Sequence, residues 1–473
     1  MGESGLLFRS MSDIAAQIRR QDVSPVEITR AVLDRLERLN PRLNAVLTNL
    51  GEPALEAAKR AEQELVAGQL RGPLHGVPLA LKDIFALRGV PVTGGSKVLG
   101  TWIPDYDATV VARLKAAGAI LVATLNLYEF ATGAMFNPHY GPTHNPWHLD
   151  HTTGGSSTGS GAAVAAGIVY GSLGTDTGGS VRIPASLCGL VGLKPTYGRV
   201  SRHGVIPLSW SLDHVGPLTR TVRDTALLMS VIAGHDPDDP TTSRLPVPDY
   251  VAALTGAVAG LRVGVAREFF FEGLDDDVQR AVEEAIQQLK SLGVQVLEVS
   301  WPSIRQAPAL YAISLAEGAA AHEPWLRSRG DYYGADVRER MQQGLLVPAT
   351  TYLKAQRLRA VLRRELEQVF EKVDLLVTPT AASPAPKLDA GPGQIGAPTG
   401  ALRSALRRFT QPFNLTGSPA LTVPCGFSRD GLPIGLQLVG RPFDEARLLN
   451  LAHAYEQSTP WKDHHPALSS VFP

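Results

Sequence analysis

Gly154-Gly155-Ser156-Ser157 and, further along, Gly174-Thr175-Asp176-Thr177-Gly178-Gly179-Ser180 decide how this chain is read. Both loops are rich in glycine, which lets backbone approach a substrate closely. Between them the small residues from Gly159 to Gly167 allow the loops to meet in space. A third element belongs with them: Lys82 closes the apolar run Val77-Pro78-Leu79-Ala80-Leu81. A serine hydroxyl is a poor nucleophile until a base takes its proton. Lysine serves as that base only when neutral, and burial at the end of an apolar strand favours the neutral form. Ser, Ser and Lys can thus form a hydrolytic triad without histidine. The successive N–H groups of Thr177, Gly178 and Gly179 can supply an oxyanion hole.

These pieces resemble the amidase signature family. Matching segments include Pro73-Leu-His-Gly-Val-Pro78 with Leu81-Lys82-Asp83, Thr124-Leu-Asn126 with Glu129-Phe130, Asn145-Pro146-Trp147, the two serine loops and Arg182-Ile-Pro184. Weaker matches follow at Gly192-Leu-Lys194-Pro195-Thr196, Asn414-Leu-Thr-Gly417 and Pro433-Ile-Gly435. The resemblance covers nearly the whole chain. It implies an α/β fold, a single α/β/α domain with a large mixed central sheet covered by helices. It also implies Ser180 as nucleophile, Ser156 as a bridging serine on a cis peptide bond, and Lys82 as the base acting through Ser156. Thr158 stands where the family usually has glycine.

The 473 residues suffice for a sizeable core, and 45 basic residues balance 45 acidic ones. Nothing in that balance favours nucleic acid or an anionic membrane. Two cysteines, Cys188 and Cys425, imply no disulfide framework. The opening residues lack a charged stretch followed by an apolar one, so a cytoplasmic location is expected.

Along the chain, Ser24-Pro25-Val26-Glu27 has the pattern of a helix start with proline at the first helical position. Ile28, Val32, Leu33, Leu36 and Leu39 follow at helical spacing. Asp107 to Ala117 reads as a helix leading into the strand Ile120 to Thr124, an α/β alternation with the Lys82 strand. Later expectations are a strand at Leu261 to Ala266, a helix at Asp277 to Leu292, a strand at Val294 to Val299, mostly helix over Glu317 to Phe370 and a strand at Val373 to Val377. A Pro/Gly-rich loop at Ala381 to Thr399 precedes two late strands that flank a turn at Asp430-Gly431. The expected organisation is one domain over 1–473: N-terminal helices to 65, a catalytic core over 66–235, a surface loop over 236–260 and a variable half over 261–473 that returns to the core sheet.

Other features have simpler readings. Gly155-Ser-Ser-Thr-Gly159 matches a nucleophile elbow with Ser157 at its centre, but no apolar strand precedes it. His139, His144, His148 and His151 fall among Pro138, Pro142 and Pro146, which reads as a surface loop rather than a zinc site. Asp176 and Arg182 read as a structural pair, and Cys188 as a core residue. Met135 and Phe136 lie in a segment that the family resemblance assigns to the substrate tunnel, with core packing as the alternative. Trp210 is a further candidate for the pocket wall.

The expected function is a serine hydrolase cleaving the C–N bond of amides through an acyl-enzyme, acting alone as monomer or homodimer. Its substrate would be a small amide, ester or carbamate, and aryl amides would suit the apolar wall. No metal, organic cofactor, nucleic acid or membrane is expected. The alternative is the glutaminase A subunit of a glutamyl-tRNA amidotransferase. By resemblance, Arg359 aligns with the arginine those subunits use for the glutamine carboxylate, whereas Arg407 replaces the acidic residue they carry near Phe409-Thr410.

Overall fold

A computed structural model of the chain describes residues 3–133, 135–388 and 405–468. The first long helix shows how sequence becomes structure. It runs from Pro25 to Leu43, with Pro25 in its first turn and Ser24 Oγ accepting the Val26 and Glu27 N–H groups. These bonds satisfy donors that a helix start leaves open. Ile28, Val32, Leu33, Leu36 and Leu39 are all buried, as their spacing dictates.

Thirteen strands follow in chain order: β1 (Val46–Asn49), β2 (Pro78–Lys82), β3 (Ile120–Leu125), β4 (His144–Asn145), β5 (His148–Thr152), β6 (Gly171–Asp176), β7 (Val191–Lys194), β8 (His214–Thr219), β9 (Arg262–Val265), β10 (Gln295–Glu298), β11 (Leu375–Pro379), β12 (Ala420–Phe427) and β13 (Pro433–Gly440). Eleven of them form one mixed sheet in the order β1-β3-β2-β6-β8-β7-β12-β13-β11-β9-β10. β2 is parallel to both β3 and β6, and β11 is parallel to β9. The middle, from β6 through β8, β7, β12 and β13 to β11, is antiparallel. The sheet is an α/β architecture whose strands come from both ends of the sequence. β2, β3, β6 and β8 are buried along their whole length. This explains why they read as continuous apolar or small-residue runs rather than alternating ones.

The expected helix at Asp277 to Leu292 spans Asp276–Ser291, and the helical stretch after Glu317 resolves into Tyr311–Arg329, Ala335–Leu345 and Ala349–Lys372. The loop expected over Ala381 to Thr399 lies outside the described residues from 389 onward. The histidine segment differs from expectation. His144–Asn145 and His148–Thr152 pair as a small antiparallel hairpin rather than a loop, a register that polar residues conceal. No described helix is long and apolar enough to cross a membrane.

Candidate active site

Lys82 is the last residue of β2 and is fully buried. Because β2 and β6 run parallel, the end of β2 meets the end of β6, where the chain turns through Thr175 and Asp176 into the glycine-serine loop. Crevices at the carboxyl ends of parallel strands are the usual ligand sites of such sheets. Lys82 Nζ lies 2.8 Å from Ser156 Oγ and 2.7 Å from Thr175 Oγ1. Burial lowers its pKa to about 7, with Asp213 and Asp176 opposing the shift. A lysine so placed exchanges a proton near neutral pH.

The Gly155-Ser156 peptide bond is cis. The Ser156 carbonyl accepts the Tyr128 N–H at 3.1 Å, and the Ser180 carbonyl accepts the Ser157 N–H at 3.3 Å. These bonds tie the two loops to each other and to the segment after β3. The fit around Gly155 is tight: a Cβ there would lie 2.3 Å from Tyr128 Cζ. Ser157 is fully buried, and its Oγ donates to the Thr175 carbonyl. The strand before it, β5, belongs to the separate hairpin, so Ser157 lacks the strand-to-turn setting of a nucleophile elbow.

Asp176 shapes the loop that carries Ser180. Its Oδ1 accepts the Gly179 N–H at 2.7 Å and its Oδ2 the Val181 N–H at 3.2 Å. Arg182 binds the same carboxylate bidentately, Nη2 to Oδ1 at 2.9 Å and Nε to Oδ2 at 3.0 Å. Asn414 Nδ2 adds a contact of 2.8 Å to Oδ1. Burial alone would raise the Asp176 pKa. Arg182, Asn414 and Lys194 outweigh that and hold the carboxyl well below its ordinary range. Arg182 Nη1 also reaches the Thr410 carbonyl and Gln437 Oε1, and Nη2 reaches Asn414 Oδ1, so the buried guanidinium is satisfied from β13 as well. With its N–H committed to Asp176, Gly179 does not offer that donor to a substrate, a departure from the expected set of Thr177, Gly178 and Gly179. Its role is steric and conformational: φ is +133°, and a Cβ would lie 2.2 Å from Thr410 Oγ1.

Ser156, Thr177, Gly178 and Ser180 form the floor of a cavity of about 60 Å³. Met135 lines it. Phe136 and Trp210 do not. Phe136 is 42 % exposed, turned out beside Asn137, whose side chain is anchored inward on the Gly95 and Leu127 carbonyls. Trp210 is 60 % exposed, and its carbonyl is held by Tyr197 and Arg202. Trp210 borders a separate cleft that it shares with Arg359. Three Arg359 N–H groups donate to the Leu415 carbonyl, Ser211 Oγ and the Ser211 carbonyl, at 2.6, 2.9 and 3.0 Å.

The cavity wall instead brings in Tyr311 and Arg340, which no motif marks, and Arg407, which the sequence marks only as a departure from the amidotransferase pattern. Tyr311 and Arg340 come from the helices Tyr311–Arg329 and Ala335–Leu345, and Arg407 from the helical residues 405–407 that precede Gln411–Thr416. Thr175, the second partner of Lys82, is also a finding of the structure. The parallel pairing of β2 with β6 is the one signal that could have exposed it. The histidines disperse: His139 Nε2 lies 3.1 Å from Glu129 Oε1, His144 Nδ1 contacts the Leu149 carbonyl, and the His148 and His151 rings meet edge-on. Cys188 is buried, and burial pushes its thiol pKa up.

A family model described as Amidase matches residues 27–449. The chain belongs to the amidase signature family. Family members hydrolyse amide C–N bonds, and the fold above matches that of solved family structures. The protein from Geobacter metallireducens named as the A subunit of glutamyl-tRNA(Gln) amidotransferase is 45 % identical over 480 residues, covering 96 % of this chain and 97 % of that protein. Among solved structures, the corresponding A subunit from Thermotoga maritima superposes with a TM-score of 0.79 at 36 % identity, covering 92 % of each chain. A chain from a vestigial protein complex described as revealing the origins of an s-triazine catabolic enzyme superposes with a TM-score of 0.88 at 35 % identity, covering 95 % of this chain and 98 % of that one.

These findings correct two expectations. Relatives 42 to 46 % identical across the full length carry the amidotransferase name, which overturns the free-standing amidase and favours its alternative. They also overturn the expectation of a lone monomer or homodimer without nucleic acid, since the name is that of one part of a multi-subunit enzyme of glutamyl-tRNA. The physical reason is that catalytic motifs report the chemistry of the site and not its company, and a balanced overall charge conceals local surfaces for partners. The names bear on amide transfer, not on carbamate or ester cleavage.

Proposed function

We propose that this chain is the amide-hydrolysing A subunit of a glutamyl-tRNA amidotransferase, freeing ammonia from the side-chain amide of glutamine for transfer by its partner subunits. The observation that carries the reading is the full-length match to relatives of that name. In the proposed mechanism Ser180 Oγ attacks the amide carbonyl as its proton passes to Ser156 Oγ. The Ser156 proton passes in turn to the neutral Lys82 amine, 2.8 Å away. Thr175 Oγ1 accepts one Lys82 N–H and so aims the lone pair at Ser156. The Thr177 and Gly178 N–H groups hold the oxyanion; one such donor is worth about 3–4 kcal/mol in comparable sites. Lys82 then returns the proton through Ser156 to the leaving nitrogen. Ammonia departs, and water hydrolyses the ester on Ser180 by the same relay. All of these groups belong to the chain, so the sequence of steps requires no cofactor.

The test is reconstitution. The chain is purified alone and with the other subunits of the enzyme from the same source, then given glutamine, ATP and glutamyl-tRNA(Gln). Formation of glutaminyl-tRNA by the complex, lost with Ser180→Ala, supports the reading. A chain that binds no partner and never supports transfer overturns it.

A further inference from the structure

The Ser180 cavity has an unusual charge pattern. Its described lining contains two arginines, Arg340 and Arg407, and no aspartate or glutamate. Tyr311 lies between them: the Arg407 guanidinium carbon is 4.1 Å from the ring centroid, and Arg340 Nη1 donates to the tyrosine hydroxyl. Neither arginine pairs with a carboxylate among the described residues, whereas Arg182, Arg262, Arg267 and Arg305 all do. Arg340 Nε is buried without a partner. Burial lowers the Arg407 pKa, Tyr311 opposes that, and the Arg340 charge adds to it.

The pair is also held close to the reacting serine. Thr410 Oγ1 donates to the Gly178 carbonyl at 2.7 Å, and the Thr410 N–H donates to the Arg407 carbonyl at 3.2 Å. Arg407 is thus one turn of backbone from the loop that carries Ser180. Two guanidinium groups held close together with no carboxylate partner among the described residues are costly, and each presents the fork that matches a carboxylate. An ammonium entering the same space would meet like charge. Arg359 lies outside this cavity, in the cleft it shares with Trp210, and three of its N–H groups are held by Leu415 and Ser211.

We propose that Arg340 and Arg407 bind a carboxylate at the far end of the acyl chain, so that the site selects amides of dicarboxylic acids and requires no ammonium beside that carboxylate. The proposal rests on the amide-hydrolase reading of Ser180 and deepens it by naming the substrate class. Three amides of one chain length separate the charges: glutaramate carries the carboxylate alone, glutamine carries carboxylate and ammonium, and pentanamide carries neither.

The experiment measures kcat/KM for ammonia release from each by the full chain, alone and with its partner subunits. In parallel, each amide is scored for protection of Ser180 from a fluorophosphonate probe, which reports binding without turnover. Glutaramate is expected to exceed pentanamide by about a hundredfold and to match or exceed glutamine, with protection in the same order. Arg407→Gln and Arg340→Gln should each collapse the glutaramate-to-pentanamide ratio to within about threefold, chiefly through KM, in protein whose melting temperature shows it folded. A ratio near one in the native chain, strong preference for glutamine over glutaramate, or a preference that survives both substitutions would overturn the proposal. Transfer to glutamyl-tRNA is scored separately. Transfer with glutamine and rejection of glutaramate would leave the amidotransferase reading standing and remove this one. Preference for glutaramate without transfer would do the reverse.

Discussion

The floor and the wall of the Ser180 cavity are built in opposite ways. On the floor the charged groups are compensated: Asp176 is bound by the Arg182 guanidinium, Asn414 and three backbone N–H groups, and Lys82 faces Ser156 and Thr175. On the wall, Arg340 and Arg407 share Tyr311 and no carboxylate among the described residues. A compensated floor holds reacting groups in fixed positions, which is what preorganised catalysis needs. An uncompensated wall leaves its charge for a ligand. The difference teaches where chemistry ends and selectivity begins in this molecule.

Substitutions on the floor should produce the largest effects. Ser180→Ala should lower amide turnover by about four decades or more without unfolding the chain, since the covalent route disappears. Residual turnover within tenfold of the native rate would move the nucleophile elsewhere. Lys82→Arg should cost roughly three decades, because guanidinium does not deprotonate; appreciable ammonia release from this variant at pH 8 would take lysine out of the relay. Asp176→Asn leaves the buried Arg182 cation without its partner, so thermal or denaturant unfolding should show a loss of about 3–5 kcal/mol. An unchanged stability would mean that Asn414 and Gln437 suffice to hold that arginine.

Smaller effects sharpen the boundary. Thr175→Val removes a hydrogen bond that favours the charged form of Lys82, so the midpoint of the pH–rate profile should fall while the maximal rate drops by about tenfold. A midpoint that rises would show that Thr175 does not act on the amine. Arg359→Ala should change the KM for glutamine by less than about threefold, because this arginine faces the cleft shared with Trp210 rather than the cavity. A large rise in KM would return Arg359 to the substrate and weaken the contrast between floor and wall.

Much of the floor was legible in the sequence because its parts are local. Glycine runs, an apolar strand ending in Lys82 and serines at fixed places all lie within a hundred residues, and the strand ends that hold them follow from continuous apolar patterns. The wall was legible only at Met135 and, as a departure from the amidotransferase pattern, at Arg407. Tyr311, Arg340 and Arg407 come from three distant segments, and each sits in a helix or turn whose pattern resembles an ordinary solvated face. The apolar character of Phe136 and Trp210 points to the pocket, yet the anchors at Asn137, Tyr197 and Arg202 turn them outward. The hairpin of His144 to Thr152 was hidden because its strands are short and polar. Gly179 could be seen as a flexible position, but the commitment of its N–H to Asp176 depends on a folded loop.

The most direct test of the Ser180–Ser156–Lys82 arrangement is the rate of fluorophosphonate labelling as a function of pH, with the modified residue located by peptide mass spectrometry. Below its pKa Lys82 is protonated and cannot accept the Ser156 proton; above it the amine is neutral and the relay operates. With burial bringing that value to about 7, labelling should fall on Ser180 and its rate should rise through a midpoint near neutrality, a dependence lost in Lys82→Arg. Labelling at Ser157, or a rate on Ser180 that does not change between about pH 5 and 9 (a span that brackets the midpoint), would contradict the account.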